Sequence, residues 1–489
     1  MQYSFRKPRK GQPDLQKVPH PAFIVSYVCA RWRTVALGHP SLWSCINALA
    51  SSSRLLDVLC ERARDHPLTV TYMIRNQLID THIPHAHIVQ FISNNLYRTK
   101  DLTLRLTDRT ATLGRQLEEL VSTVQAPVLE RCAIQCGGEY SHQELNGLSF
   151  GGCTPRLQHL EFHATKLRWH RALFSDLTSL VITHSRVIFM DEREVRLALK
   201  ASPGLELMEL QARFQTNKEL LNIIPEPPVD LPHLHTIKLA MTPVVTHALL
   251  PSIHAPSVRL LEVDLGIVDV DVSAALLYQR VVLPAAPLFH VTRLVVEVNV
   301  GEQWGGGRAA IEGFDRCHRS FLLKWHGPRN SSFDAQTLLP VLHDILHRRA
   351  RTELVSLALQ SDCDIEGHPL DALIPFLHVL PHITLKGAIA DRVGTYVLNG
   401  VKTQPNSWLL LEELVFEQCS LPGENIKSLL TQSCLLDPGT RLRVALVNVT
   451  VEAESPLVAD TLQQLIRDAQ RDGTALQCND VAFRCHGPE

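Results

Sequence analysis

The sequence predicts an α/β fold. Repeated strand-and-helix units stack into an irregular solenoid, and a small, incomplete all-α module stands in front of it. Three observations carry this expectation. The 489 residues include 75 leucines, about 15% and well above common usage. A strand-like motif, Pro-x-(Leu/Val)-x-x-apolar-x-apolar, returns at short intervals. Ahead of its copies, residues 25–46 hold an apolar stretch with helical spacing that ends at Pro40.

Composition narrows the function classes. Lys and Arg number 48 and Asp and Glu 50, for a formal charge of −2. That balance leaves no electrostatic footprint for nucleic acid or an anionic membrane. Hydrophobic residues make up 45% and charged residues 20%, the signature of a folded chain. Length alone allows about three domains, unless the sequence repeats itself. No apolar run approaches the ~18 residues of a membrane helix. Arg6, Lys7, Arg9 and Lys10 are followed by no apolar core of a signal peptide, so the expected location is cytoplasmic or nuclear. The twelve cysteines are scattered with no Cys-x-x-Cys pair, and in that setting they read as reduced thiols. Neither Cys132 with Cys136 nor Cys478 with Cys485 and His486 supplies four ligands at zinc spacing. No metal and no other cofactor is expected.

Residues 1–22 read as a basic, proline-containing tail. In residues 23–47, Val28, Trp32, Val35 and Ala36 share one face of a helix that Pro40 stops. Leu42 and Trp43 then fold back over it as an apolar lid. Residues 48–97 hold a helix, from Leu55 to Arg64, and a first strand beginning at Pro67-Leu68-Thr69-Val70. They link the module to the repeats.

Residues 98–489 form the solenoid. Five copies carry the proline: Pro127 to Ile134, Pro155 to Phe162, Pro203 to Leu210, Pro232 to Leu239 and Pro256 to Val263. A sixth, Leu177-x-x-Leu180-x-Ile182, lies between the second and third. The steps are about 28, 22, 26, 29 and 24 residues, in or at the edge of the leucine-rich-repeat range. Alternation at the end of each copy suits a short strand with one buried face. The proline precedes the strand, where its missing N–H costs no ladder bond. Glu192 to Lys200 and Lys218 to Ile224 look helical. One unit cannot bury its own apolar edge, so the units must stack. The motif returns less cleanly at Leu354 to Leu359 and Leu411 to Phe416. Weaker strands are expected at Val291 to Val298, Phe321 to Trp325, Ile383 to Leu385 and Leu442 to Val449, with a loop at Gly301 to Arg308.

The string Val28-Cys29-x-x-Trp32-x-x-x-Ala36, followed by Pro40-x-Leu42-Trp43, resembles the second half of an F-box. With the helix and strand after it and the Pro-x-Leu repeats, the chain is similar to the mushroom-type fungal F-box proteins with irregular leucine-rich repeats. The resemblance is sharp over residues 25–72 and in the repeats. The family's opening Leu-Pro-x-Glu helix start is missing or replaced here: the region Lys10 to Pro21 contains Pro13, Pro19 and Pro21 and has no amphipathic period. The resemblance implies a substrate-recognition subunit of a cullin–RING ubiquitin ligase that performs no catalysis itself. Val28, Cys29, Trp32, Leu42 and Trp43 would meet a Skp-type adaptor, some of them serving as core. Polar residues between the buried strand positions would line the face that meets an unknown target protein. Those candidates are His159, Glu161, Glu206, Glu209, His235, Lys238, Arg259 and Glu262. The alternative is an interaction scaffold with no ligase attached.

Two catalytic look-alikes do not hold up. Gly147-x-Ser149-x-Gly151 matches a nucleophile elbow, but the preceding residues are polar and a repeat strand follows, so it reads as an inter-repeat loop. His343-Asp344-x-x-His347 has helical zinc spacing, but its acid is too short for the general-base role and no third ligand is evident. The 24 histidines lie mostly in expected loops, such as His82, His85 and His87.

Overall fold

Every copy of the repeat motif becomes a short strand, parallel to a neighbouring copy, with its apolar positions buried. The computed structural model describes residues 20–47, 53–73, 85–107, 123–137, 144–145, 150–152, 154–163, 166–167, 174–185, 192–212, 227–241, 246, 249–267, 293–301, 306–314, 320–326, 356–361, 377–378, 380–403, 410–431, 442–471 and 476–485. The expected helix at Lys218 to Ile224 and the elements of both look-alikes, apart from Phe150–Gly152, lie outside them. The architecture is mixed α/β with parallel sheets. It divides into two compact units, Met1–Gln215 with Val229–Leu234, and Thr216–Pro228 with His235–Glu489.

The first unit opens with helices α1 (Pro21–Val28) and α2 (Ala30–Gly38) and a short 3-10 turn at Pro40–Trp43. Among the described residues, seven strands of the unit's main sheet follow in chain order: β1 (Cys45–Asn47), β2 (Leu68–Met73), β3 (Thr99–Thr107), β4 (Arg131–Gly137), β5 (His159–His163), β6 (Ser179–Ser185) and β7 (Leu207–Ala212). Each is parallel to the next. The register aligns Ile46, Val70, Leu102, Cys132, Leu160, Leu180 and Met208 in one row, and Tyr72, Leu104, Ile134, Phe162, Ile182 and Leu210 in a second. Both rows are buried, so the two apolar positions of each motif become two continuous seams of core. A one-residue slip in any strand would turn its pair to solvent, which fixes the register.

Among the described residues, three further helices belong to this unit: α3 (Ser53–Ala63), α4 (His85–Asn95) and α5 (Glu192–Ala201). Helix α4 corrects the expectation of loops around His85 and His87. Ile88, Phe91 and Ile92 repeat at helical spacing and are buried, which overrides the histidine-rich composition. Just after α5, the buried Ser202 hydroxyl donates to the Phe174 carbonyl and accepts from the Leu177 amide at 3.1 Å. It thereby satisfies two backbone groups in the turn before β6.

The second unit holds β8 (Thr236–Ala240), β9 (Leu260–Ile267), β10 (Arg293–Gly301), β11 (Gly306–Phe314), β12 (Ser320–His326) and β13 (Ser356–Ser361). Here spatial order departs from chain order. Strands β10, β11 and β12 form an antiparallel meander, yet β12 pairs in parallel with β9 and β10 with β13. The loop expected at Gly301 to Arg308 is corrected in the same place. Gly301 closes β10, and Gly306 to Arg308 open β11, paired with Gly301, Val300 and Asn299. Glycine signalled a loop, but Gly301, Gly306, Gly307 and Arg308 are paired strand residues.

Beyond the meander the array is more regular than its sequence suggests. It contains β14 (His382–Gly387), β15 (Glu413–Glu417), β16 (Ser420–Pro422), β17 (Arg443–Val447), β18 (Thr450–Ala453), β19 (Leu476–Asn479) and β20 (Ala482–Cys485). Leu357, Ile383, Leu414, Val444 and Leu476 share one row, and Leu359, Leu385, Phe416, Leu446 and Cys478 the next. After each of the last four of these strands the chain turns through a left-handed residue: Gly387, Gln418, Asn448 and Asp480, with φ of 78°, 49°, 52° and 55°. That turn starts the short strands β16, β18 and β20, which make a second parallel sheet. Helices α6 (Ile389–Thr403), α7 (Gly423–Thr431) and α8 (Pro456–Arg471) complete the units. Asn425 of α7 donates to Asp391 and Thr395 of α6, at 2.7 and 2.8 Å. No described helix is long and apolar enough to cross a membrane.

Candidate interaction surfaces

The N-terminal helices depart from the single helix that the sequence suggested. Pro21 does not obstruct but begins α1, where its missing N–H has no helical partner to lose. His20 caps that start, its Nδ1 accepting from the Ala22 amide at 3.2 Å while its other ring nitrogen lies 2.7 Å from the Cys45 carbonyl. Cys29 is extended, with φ −162° and ψ 172°, and splits the expected helix in two. The break lets α2 pack back on α1, and Arg33 Nε donates to the Ser26 carbonyl at 3.0 Å.

This fold-back sorts the motif residues. Ala36 and Trp43 are fully buried. Trp43 Nε1 donates to the Ala36 carbonyl at 2.8 Å, its ring stacks on His20 and meets Phe23 edge-on, and Arg62 of α3 lies over it at 4.4 Å. Trp43 is therefore core and not a surface contact, and the expected lid reduces to this one residue. Leu42 is exposed, as are Val28 at 64% and Trp32 at 52%, with Cys29 beside them. Ile24, Tyr27, Val35 and Leu37, which motif matching passed over, are exposed in the same segment. Their signal is in the sequence: Ile24, Tyr27 and Val28 recur at helical spacing on the side away from buried Ala22 and Ser26.

The polar sheet candidates occupy the face opposite the buried rows. In the first unit, exposed His159 and half-buried Glu161 lie on β5, and Glu209 shares the Glu161 row with Val181 between them. Glu206 is exposed just before β7. In the second unit Lys238 sits directly across from Glu262. His235 and Arg259 precede those strands, joined by a backbone bond from the Arg259 amide to the His235 carbonyl of 2.8 Å.

The partners of Glu161 were missed; they stand one step off its register, Arg131 opposite His159 and His163 opposite Thr183. Arg131 Nη2 lies 3.4 Å from its carboxylate, and His163 bridges Glu161 to Thr183. The His163 hydrogen bond holds the Glu161 carboxyl below its ordinary pKa against the opposing effect of burial. Burial pushes the neighbouring Asp101 up, with Arg131 pulling the other way. Further along, Lys386 forms an ion pair with Glu417 at 3.3 Å, and His382 Nδ1 lies 3.3 Å from the Glu413 carboxylate.

Desolvation pushes the buried thiols of Cys132 and Cys419 up to about 12 and the half-buried Cys478 to about 11. Among the described residues no group of three or more His, Cys, Asp or Glu could hold a metal ion. Compared with known proteins, the chain matches no family model and no curated protein.

Proposed function

We propose that this chain is the substrate-recognition subunit of a cullin–RING ubiquitin ligase, with an F-box-like module that docks a Skp-type adaptor and an irregular leucine-rich-repeat solenoid that holds a target protein. The observation that carries the reading is the division of labour in residues 20–47: Trp43 and Ala36 anchor the module while Val28, Cys29, Trp32 and Leu42 are presented outward. Soluble domains bury apolar side chains of this size unless a partner covers them. The two-seam register and the recurring left-handed turns support the repeat reading. The chain would contribute proximity, and the chemistry would belong to the ligase's conjugating enzyme.

Co-precipitation with the Skp-type adaptor tests the proposal, using the wild-type chain beside a Val28→Asp, Trp32→Ala variant. Both changes are at exposed positions, so the fold should survive, as circular dichroism can check. Capture by the wild type that the variant loses supports the reading, and absence of capture by a folded wild type rejects it.

The second reading is an interaction scaffold without a ligase. Its support is the sequence from Lys10 to Pro21, where prolines replace the family's first helix start. Loss of adaptor capture with retained binding of a target by the repeats would select it.

A further inference from the structure

The exposed segment has a second property besides its apolarity: its charge has one sign. From His20 to Asn47 there is no Asp or Glu, and Arg31 and Arg33 are the only arginines or lysines. Arg33 is engaged with the Ser26 carbonyl. Arg31 is exposed and makes no ion pair among the described residues. It stands one turn before Val35 and next to Trp32 on α2, so its guanidinium flanks the apolar stripe. On α1 the stripe is Ile24, Tyr27 and Val28, which are 50%, 73% and 64% exposed.

We infer that this patch docks a folded protein whose apolar groove is rimmed by carboxylates, and that Tyr27 and Arg31 are its outer anchors beyond the motif residues. Charge complementarity selects this occupant. A second copy docking patch to patch would bring Arg31 against the same unpaired cation. An anionic membrane surface recruits clusters of about four to eight basic residues, and the patch offers one free arginine. A groove with acidic edges satisfies that arginine and covers the aromatic and aliphatic side chains in one step, the arrangement found at interface anchors. The adaptor reading supplies the partner's identity, whereas the chemistry of the patch stands on the geometry alone.

The test separates the two. Anilinonaphthalene sulfonate, an apolar anion, is titrated into the full-length chain and into Tyr27→Ser, Arg31→Glu and, as a control cation elsewhere, Arg259→Glu, with folding checked by thermal melting. Bound-dye fluorescence should fall at least about threefold in the first two variants and stay unchanged in the third. Equal dye binding by wild type and Arg31→Glu overturns the inference, as does Tyr27-dependent dimerisation or pelleting with phosphatidylserine vesicles. The same proteins are then offered the Skp-type adaptor at low and high salt. Dye dependence without adaptor capture leaves the patch chemistry standing and removes the adaptor. Adaptor capture that is indifferent to Arg31, Tyr27 and salt keeps the adaptor and removes the acid-rimmed groove.

Discussion

The guanidinium of Arg62 lies 4.4 Å from the centroid of the Trp43 indole, so a residue of α3 seals the core of the helices that precede it. It also lies 5.2 Å from the Phe23 ring. The contact ties the exposed N-terminal segment to the helix that leads into β2, and β2 pairs with β1 immediately after Trp43. The module is built onto the start of the first sheet through the β1–β2 pairing and the Arg62 contact.

Removing either partner should loosen this junction by different amounts. Arg62→Ala should cost about 1 kcal/mol, in the range of partly desolvated cation–π contacts. Trp43→Ala should cost about 3–5 kcal/mol, the range for emptying a buried aromatic site. Urea denaturation followed by circular dichroism measures both, and no cost from Arg62→Ala would mean that Arg62 seals nothing.

Helix α6 approaches its sheet at a glycine. A Cβ on Gly394 would stand 2.9 Å from Cζ of Phe416 on β15, closer than carbon atoms tolerate. Gly394→Ala should therefore destabilise by about 1–3 kcal/mol through overpacking. Phe416→Leu in the same chain should recover part of that loss. A double-mutant cycle on unfolding free energies checks the coupling.

Glu161 and Asp101, on one sheet face, should respond to pH with opposite signs. The folded pKa of Glu161 lies below its ordinary 4.5 because His163 hydrogen-bonds the carboxylate. Its stabilisation is complete above that ordinary value and is lost as pH falls through the lowered folded value. Glu161→Gln should thus weaken the chain at neutral pH and converge with wild type in strong acid. Burial raises Asp101 above 3.8, so its stabilising share is present below that value and is lost as pH rises. Asp101→Asn should be the more stable protein at neutral pH. Melting temperatures across the acid range measure both, and parallel curves for wild type and variants would contradict the assignment.

Thiol reactivity should follow exposure and pKa together. Cys29, Cys45 and Cys485 are exposed, whereas Cys132 and Cys419 are buried and pushed up to about 12. In native buffer near neutrality, iodoacetamide should label the first three long before the other two. Peptide mass spectrometry over time gives the order, and early labelling of Cys132 would show that the first buried seam opens.

The sequence made β2, β4, β5 and β7 legible because each carries its own proline and two apolar positions, and β6 because its apolar spacing repeats theirs. Where Ile383 and Val444 lack that proline, alternation was still visible, but the turn that organises those copies was not. Its left-handed residue is Gly387, Gln418, Asn448 or Asp480 by turns, and only glycine announces such a backbone. The reversed meander was hidden for another reason: β10, β11 and β12 have strand patterns, but order across a sheet is decided by pairings far apart in sequence. In residues 20–47, Trp32 and Trp43 are alike as motif residues. Only the break at Cys29 and the fold-back on Ala36 determine that one faces out and the other in.

The most direct test of the central claim is a calorimetric titration of the full chain with purified Skp-type adaptor, comparing wild type, Trp32→Ala and Arg131→Ala. The account predicts saturable binding by the wild type, at least about tenfold weaker binding by Trp32→Ala, and no change for Arg131→Ala, which alters only the sheet face. Wild-type affinity retained by Trp32→Ala, or no heat of binding from a folded wild type, would contradict it.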